Sequence, residues 1–156
     1  MNDSDLTALL KRFHAHSVEY VLVGGFAVRV NGFLRLTEDI DVLLPRSVEN
    51  GRRVISSLDF LESSKDLDPS WFEPPVDEPE NIRVADTLVI DLLFAANGET
   101  FESLKRHIRQ VDFEGVVVNT LDIEGLLKTK TSYRDKDKLD RLALEAIKRQ
   151  ARAQNA

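Results

Sequence analysis

Four short apolar segments constrain the fold of this chain more than any other feature of its sequence. Each has the length of a β-strand: YVLVGG (20–25), IDVLL (40–44), NIRVA (81–85) and TLVIDLLF (87–94). A further segment, QVDFEGVVVNT (110–120), has a Glu114-Gly115 step at its centre, which predicts a β-hairpin. We therefore expect the core to be built on a sheet.

Segments with helical spacing lie between these strands. A first helix begins after a cap at Asp3 or Ser4. Its apolar positions are Leu6, Leu9, Leu10 and Phe13. Further helices are predicted over FAVRVNGF (26–33), VENGRRVISSL (48–58, behind a Ser47 cap) and GETFESLKRHI (98–108).

Two more helices are predicted at the C-terminal end. The first starts near Thr120 or Asp122, and the second covers about 136–151. The apolar stripe expected on the second helix is Leu139, Leu142, Ala143, Ala146 and Ile147. This order of elements predicts an α+β fold, with a mixed β-sheet flanked by helices and a C-terminal helical segment. We predict a single domain, 1–156, with an α/β part over about 1–119 and a helical part over about 120–156.

Composition excludes several classes of protein. Of the 156 residues, 42% are hydrophobic and 31% are charged, which is typical of a globular domain and not of a disordered chain. Without cysteine there is no disulfide, thiolate metal site or Cys nucleophile. No apolar run approaches the roughly 20 residues of a membrane span, and no signal peptide is apparent, so a cytoplasmic location is predicted. From Ile123 onwards nine basic residues stand against five acidic ones, in a chain of net charge −6, which permits a local phosphate site.

The Asp39-Ile40-Asp41 step places two carboxylates on one face of an extended segment. Two like charges there repel each other unless a cation lies between them, and Mg²⁺ prefers such oxygen ligands. A solvated turn, in which Asp39 caps the backbone and Asp41 is incidental, is the alternative.

Asp91 interrupts the apolar run TLVIDLLF, which predicts a strand buried on both faces. A buried carboxylate without a partner would cost several kcal/mol, so Asp91 needs a partner, a proton or a metal. It would complete a carboxylate triad with the first two acids. Backbone groups, or an arginine such as Arg83, are the alternative partners.

Gly24-Gly25 follows the first predicted strand and precedes a helix. Such a step lets a backbone approach a ligand closely, and a helix N-terminus offers N–H groups to an anion. A tight turn without a ligand is the simpler interpretation. Lys130 shares a predicted helix face with Ile123, Leu126 and Leu127, and an inward lysine requires an anion, either a phosphate or a carboxylate at the edge of the core.

The segment KDLDPSWFEPPVDEPE (65–80) is rich in proline and acidic residues and is predicted to be a surface loop. Its Trp71 and Phe72 have two interpretations. They either stack on a base or, as we favour, anchor the long loop by hydrophobic contact.

Taken in order, these motifs resemble the DNA polymerase β-like nucleotidyltransferase superfamily. The resemblance rests on strand-Gly-Gly, a short helix, RLTEDID (35–41), Asp91 on a later strand and KTSYRDKDKLD (130–140). The set looks closest to the AbiEii/AbiGii-type branch, which includes toxins of toxin–antitoxin pairs. Many relatives have Gly-Ser where this chain has Gly24-Gly25.

The resemblance implies a role for each matching residue. Asp39 and Asp41 would hold Mg²⁺ (or Mn²⁺), and Asp91 would be the third metal-site carboxylate, activating an acceptor hydroxyl. Lys130 would bind phosphate as a catalytic residue. The nucleotide-binding set would be Gly24, Gly25, Arg35, Thr37, Lys130, Arg134, Lys136 and Asp137, with Asp140 nearby.

The activity implied is transfer of a nucleoside monophosphate from an NTP to a hydroxyl. The acceptor would be a tRNA 3′ end, a protein side chain or a small molecule, and the role that of a toxin with a cognate partner protein. The alternative is a non-catalytic, antitoxin-like module that binds a nucleotide or a partner protein on the same fold.

Overall fold

A six-stranded mixed β-sheet forms the centre of the molecule in the computed structural model, which describes residues 2–33, 37–130, 141–142 and 144–150. The strands are β1 (Val21–Val23), β2 (Ile40–Leu43), β3 (Ile82–Ala85), β4 (Val89–Leu93), β5 (Ile108–Phe113) and β6 (Val116–Leu121). Their order across the sheet is β3-β4-β2-β1-β6-β5. Strand β2 is antiparallel to β1 and parallel to β4, whereas β1 is parallel to β6. The predicted α+β class and the β5–β6 hairpin are confirmed.

The described α-helices include α1 (Asp3–Ala15), α2 (Gly24–Val30), α3 (Val48–Ser57) and α4 (Ile123–Lys128). The cap predicted at Ser47 is confirmed, because its side chain accepts a hydrogen bond from a first-turn backbone N–H. The helix start predicted near Thr120 or Asp122 is also confirmed, and Asp122 caps that helix in the same way. The first cap was misplaced, since α1 is capped by Asn2. The Asp5 N–H donates to the Asn2 side chain and the Asn2 N–H to the Asp5 carboxylate, both at 3.0 Å. This reciprocal pair places the cap one residue before Asp3, the earlier of the two predicted caps.

The helix predicted over 98–108 is wrong. Only Lys105–His107 is helical, as a short 3₁₀ turn. Thr100 and Ser103 exchange the same kind of reciprocal bonds that cap α1, at 3.1 Å and 2.8 Å. A helical start is therefore present, and the Leu104 N–H donates to the Thr100 carbonyl at 3.0 Å. The helix does not continue because strand β5 begins at Ile108.

The last predicted helix is present where it is described, over 141–142 and 144–150, but its apolar face differs from the prediction. Leu142 is 62% exposed, whereas Leu144 is fully buried. Arg141 Nη1 donates to the Leu127 carbonyl at 2.9 Å, and Lys148 pairs with Glu124 at 2.8 Å. These bonds to α4 fix which side of the helix faces inward. Within the described chain, none of the helices has both the length and the apolar character needed to cross a bilayer.

The predicted loop 65–80, called the acidic loop below, is held to the core by Phe72. One 3₁₀ turn, Glu62–Asp66, leads into the acidic loop, and a second, Pro69–Phe72, lies within it. The Phe72 ring is buried and meets Phe94 edge-on, with centroids 6.0 Å apart. A Cβ atom built on Gly51 of α3 would lie 2.5 Å from Phe72 Cγ, so the glycine makes room for the ring. The anchoring interpretation is confirmed for Phe72, whereas Trp71 remains half exposed.

A bidentate ion pair joins helix α1 to α2, and we expect its contribution to the stability of the fold to depend on pH. Arg29 donates through Nε and Nη2 to the two Asp3 oxygens, both at 2.7 Å. These hydrogen bonds hold the pKa of Asp3 below its ordinary value of 3.8, against burial, which raises it. The stabilisation is therefore present above that ordinary value and is lost as the pH falls through the lower pKa of the folded state.

Arg29→Met should lower the free energy of unfolding by about 1 kcal/mol near neutral pH. The deficit should shrink at about pH 3, where protonation of Asp3 weakens the pair in the wild type. Urea denaturation at both pH values measures it. Arg52→Met, which removes an exposed contact to Glu49, is the control and should change little. A deficit independent of pH would show that Arg29 acts by packing alone.

Candidate active site

One cleft of about 470 Å³ brings together the predicted site residues that the structure describes. Its lining includes Gly24, Gly25, Thr37, Asp39, Asp41, Asp91 and Lys130. A volume of that size is typical of small-molecule sites. The remaining predictions, at Arg35, Arg134, Lys136, Asp137 and Asp140, lie outside the described residues.

Strand register explains why acids far apart in sequence meet here. Asp41 on β2 lies opposite Asp91 on the parallel strand β4, and Asp91 lies opposite Arg83 on the antiparallel strand β3. On the other side Asp41 lies opposite Val23, the last residue of β1. Residues paired in this way point to the same face of a sheet. Arg83, Asp91 and Asp41 therefore form one transverse row across the sheet. The row ends beside Gly24, which follows Val23 in the chain.

Asp91 is placed differently from the prediction that its strand is buried on both faces. Burial alternates along β4, with Ile90 and Leu92 in the core and the Asp91 side chain 19% exposed on the opposite face. The run looks uniformly apolar because Val89 and Leu93 share the cleft-side face with Asp91. Asp91 is thus a residue of the cleft wall, and it has an ionic partner.

That partner is Arg83, which bridges two of the three predicted metal ligands. Arg83 Nη1 donates to both oxygens of Asp91 and Nη2 to Asp39 Oδ2, each at 3.2 Å. The guanidinium supplies the positive charge that facing carboxylates require. One alternative raised from the sequence, an arginine partner for Asp91, is therefore present. Arg83 itself is 57% exposed and lies on the solvent side of the acids.

The donor set fits a hard divalent cation in its chemistry, because Asp39, Asp41 and Asp91 offer only oxygen ligands. In the described part of the chain, however, no group of three or more His, Asp or Glu side chains has the arrangement of a preformed metal site. Arg83 lies between two of the acids and is bonded to both of them. A metal bound by Asp39 and Asp91 would compete with these bonds.

Gly24 allows the backbone to pass directly beside Asp41. It is the first residue of α2, so the glycines belong to the helix and do not precede it as predicted. Its φ of +71° lies in the left-handed region that favours glycine. A Cβ atom built on Gly24 would overlap the Asp41 carboxylate and lie 3.0 Å from its Cγ. Only glycine satisfies both conditions.

Gly24→Ala should therefore destabilise the protein through two separate effects. The left-handed conformation alone costs a side chain about 1–2 kcal/mol, and displacement of the Asp41 carboxylate adds to that cost. Gly115→Ala is a matched control, since Gly115 has φ +80° and open space where its Cβ would be. Urea denaturation of both variants should show the larger loss at Gly24. Equal losses would mean that Asp41 moves aside freely.

Lys130 lines the cleft although it is not on the helix face where it was predicted. Helix α4 ends at Lys128, and Lys130 follows the cap residue Thr129. The Lys130 residue is only 6% exposed. Asn97 holds this segment, because its Nδ2 donates to the carbonyls of Lys128 at 2.9 Å and Lys130 at 3.3 Å.

The cleft residues that were not predicted as site residues include Asn81, Arg83 and Asn97. The Asn97-Gly98 step is a recognisable turn signal directly after a strand, so Asn97 was within reach of sequence reasoning. Asn81 and Arg83 carried no comparable signal. Their position follows only from the pairing of β3 with β4.

Comparisons of the sequence found no match to a protein-family model or to a curated protein. Comparisons of the structure found relatives at low identity. The lincosamide antibiotic adenylyltransferase LnuA, solved with lincomycin, has a TM-score of 0.64 and 17% identity over 94% of this chain and 98% of its own. A Thermotoga maritima protein assigned as a nucleotidyltransferase has a TM-score of 0.54 and 14% identity, covering 99% of this chain and 96% of its own.

An antigenic nucleotidyltransferase-like protein of Paracoccidioides brasiliensis has a TM-score of 0.52 and 12% identity, covering 92% of this chain and 75% of its own. At these identities the likeness shows the fold alone. That fold is shared with nucleotidyltransferases, as the motifs predicted. The AbiEii/AbiGii-type branch is not distinguished by these structures and stays a prediction.

Proposed function

We propose, starting from the nucleotidyltransferase fold, that this protein is a Mg²⁺-dependent enzyme that transfers a nucleoside monophosphate from an NTP to a hydroxyl acceptor. One observation carries the proposal. Asp39, Asp41 and the sequence-distant Asp91 line a single cleft. The same cleft is lined by the buried residue Lys130 and by Gly24, whose backbone passes directly beside Asp41. Such a combination of acids, cation and bare backbone suits a metal–triphosphate complex.

The reaction is an in-line displacement at the α-phosphorus. The acceptor oxygen forms a bond to phosphorus, the bond to the pyrophosphate oxygen breaks, and pyrophosphate leaves with the electron pair. The acceptor proton passes to a carboxylate, for which Asp91 is the candidate. Asp39, Asp41 and Asp91 would hold Mg²⁺ (or Mn²⁺), which neutralises charge on the phosphates when bound. Lys130 would bind a phosphate oxygen at the opposite wall.

Arg83 has a defined part in this proposal. It holds Asp39 and Asp91 together while no metal is bound, so the acids stay in place despite their repulsion. Because Asp39 and Asp91 would also be ligands of Mg²⁺, the guanidinium would have to release these oxygens when a metal is bound. Arg83 thus competes with the cation for the same ligands.

Arg83→Gln should therefore increase Mn²⁺ affinity by roughly two- to fivefold, since an exposed pair contributes about 0.2–1 kcal/mol. Electron paramagnetic resonance of free Mn²⁺ during titration measures the affinity without any need for turnover. Arg52→Gln on α3, far from the cleft wall, is the charge-matched control and should leave it unchanged. Unchanged or weaker Mn²⁺ binding in Arg83→Gln would contradict the competition.

The activity test is incubation with α-labelled NTPs, Mg²⁺ and total RNA, lysate or small-molecule hydroxyl acceptors. We expect label transfer that chelation abolishes and that Asp39→Ala plus Asp41→Ala removes. Transfer that persists in the double variant would contradict the assigned site. The non-catalytic, antitoxin-like alternative predicts calorimetric binding of ATP and Mg²⁺ with no transfer to any acceptor. Co-purification with an adjacent gene product would favour a partner-binding role.

A further inference from the structure

A second cavity, of about 540 Å³, adjoins the cleft. Asn81 and Arg83 line both cavities, so the second one opens beside the carboxylates of the first. Its other walls come from the acidic loop, including Trp71. None of the roles proposed for the nucleotide and the metal involves this second cavity.

Trp71 is a fixed aromatic surface in this cavity. It is 50% exposed and lies in the Pro69–Phe72 turn, whose first residues are held by Asp68 through a 2.8 Å bond from the Ser70 N–H. The next residue, Phe72, is anchored in the core, and its carbonyl accepts from the Ser47 N–H at 2.9 Å. A large ring held half exposed on a rigid turn is suited to stacking on a ligand.

Glutamates outnumber arginines three to one among the residues that line the cavity, and Arg46 approaches it from outside the lining, with Nε donating to the Pro74 carbonyl. Glu73, Glu78 and Glu80 line the cavity, and among the described residues none of the three carboxylates has an ion pair or a side-chain hydrogen bond. The positive charge of Arg83 does not offset them, because its guanidinium is bonded to Asp39 and Asp91. An aromatic face that lines the same cavity as three carboxylates is complementary to an organic cation.

We propose that this cavity binds the hydroxyl acceptor, and that the acceptor is a small organic cation bearing hydroxyl groups. The inference rests on the proposed function, because the shared wall at Asn81 and Arg83 is what would deliver a hydroxyl towards Asp91. The volume accommodates a molecule of drug size. An RNA end fits poorly, because its phosphates would face three glutamates.

Trp71 also supplies the test, since it is the only tryptophan of the chain and its fluorescence reports on this cavity. The probes form a charge series on one polyhydroxylated skeleton: N-methylglucamine (cation), sorbitol (neutral) and gluconate (anion). We expect N-methylglucamine to change Trp71 emission saturably and to bind roughly tenfold more tightly than sorbitol, with no response to gluconate. Glu78→Gln plus Glu80→Gln should remove most of this preference. Glu49→Gln plus Glu62→Gln, at exposed positions outside the cavity, should keep it.

Equal binding of cation and neutral probe, or a Trp71 response to an RNA oligonucleotide, would overturn the inference. The two proposals also fail separately. A Trp71 response to N-methylglucamine with no label transfer to any acceptor would overturn the acceptor role along with the enzyme activity. Label transfer to RNA with no Trp71 response to N-methylglucamine would overturn the cavity inference and leave the activity standing.

Discussion

Asp41→Asn should reduce nucleotidyl transfer at least about 100-fold while the protein stays folded. Asp41 is at the centre of the transverse row, opposite Asp91 on one side and adjoining Gly24 on the other. The amide has nearly the same shape as the carboxylate, so it preserves packing and removes the negative charge that would hold the metal. The loss should appear in kcat for labelled NTP at saturating Mg²⁺, because the missing ligand serves the transition state.

Glu38→Gln is the matched control for that prediction. Glu38 is an exposed acid one residue before Asp39, and it does not line the cleft. Its substitution removes the same charge from the same segment, so activity should stay within about twofold. The unfolding free energy of Asp41→Asn should stay within about 1 kcal/mol of wild type. Full activity in Asp41→Asn, or an equal loss in Glu38→Gln, would mean that general charge, and not the site geometry, governs the reaction.

Phe72→Ala should cost about 3–5 kcal/mol of unfolding free energy, the expected loss for truncating a buried phenylalanine. The ring fills the space above Gly51 and meets Phe94, so its removal leaves a cavity between α3 and the sheet. It also loosens the turn that carries Trp71. Urea denaturation should therefore show a large shift in the transition midpoint with little change in its slope.

The neighbouring substitution Trp71→Ala provides the comparison. Trp71 is half exposed, so its truncation should change stability by no more than about 1 kcal/mol. These two adjacent aromatic residues thus have different roles. Phe72 stabilises the fold, and Trp71 lines the second cavity. A cost below about 1 kcal/mol for Phe72→Ala would contradict the anchoring role of that ring.

Local patterns allowed much of the architecture to be predicted. The apolar strand segments, the Ser47 cap, the helix start near Asp122 and the Glu114-Gly115 hairpin all depend on contacts between residues close in sequence. One error has a cause outside the segment itself. The helix predicted over 98–108 stops after a short turn because Ile108 begins β5, which pairs with β6.

The candidate site was predictable in its composition and not in its arrangement. Spacing alone singled out Asp39 and Asp41 as acids that share a face, and Asp91 as an acid within an apolar run. Arg83 was considered only as one structural alternative. Its bond to both Asp39 and Asp91 depends on β3 pairing with β4 in one particular register. A shift of one residue in that register would turn Arg83 to the other face.

The sequence by itself determined which residue types are available for phosphate and metal chemistry. The charges, the Gly24-Gly25 step and the strand periodicity can all be recognised within short segments. Only the tertiary structure decided that these residues face one cleft, that Arg83 lies between the acids, and that a second, acidic and aromatic cavity adjoins them. The physical reason is that strand order and register are set by the packing of the whole core. Side chains separated by dozens of residues meet only once that packing is complete.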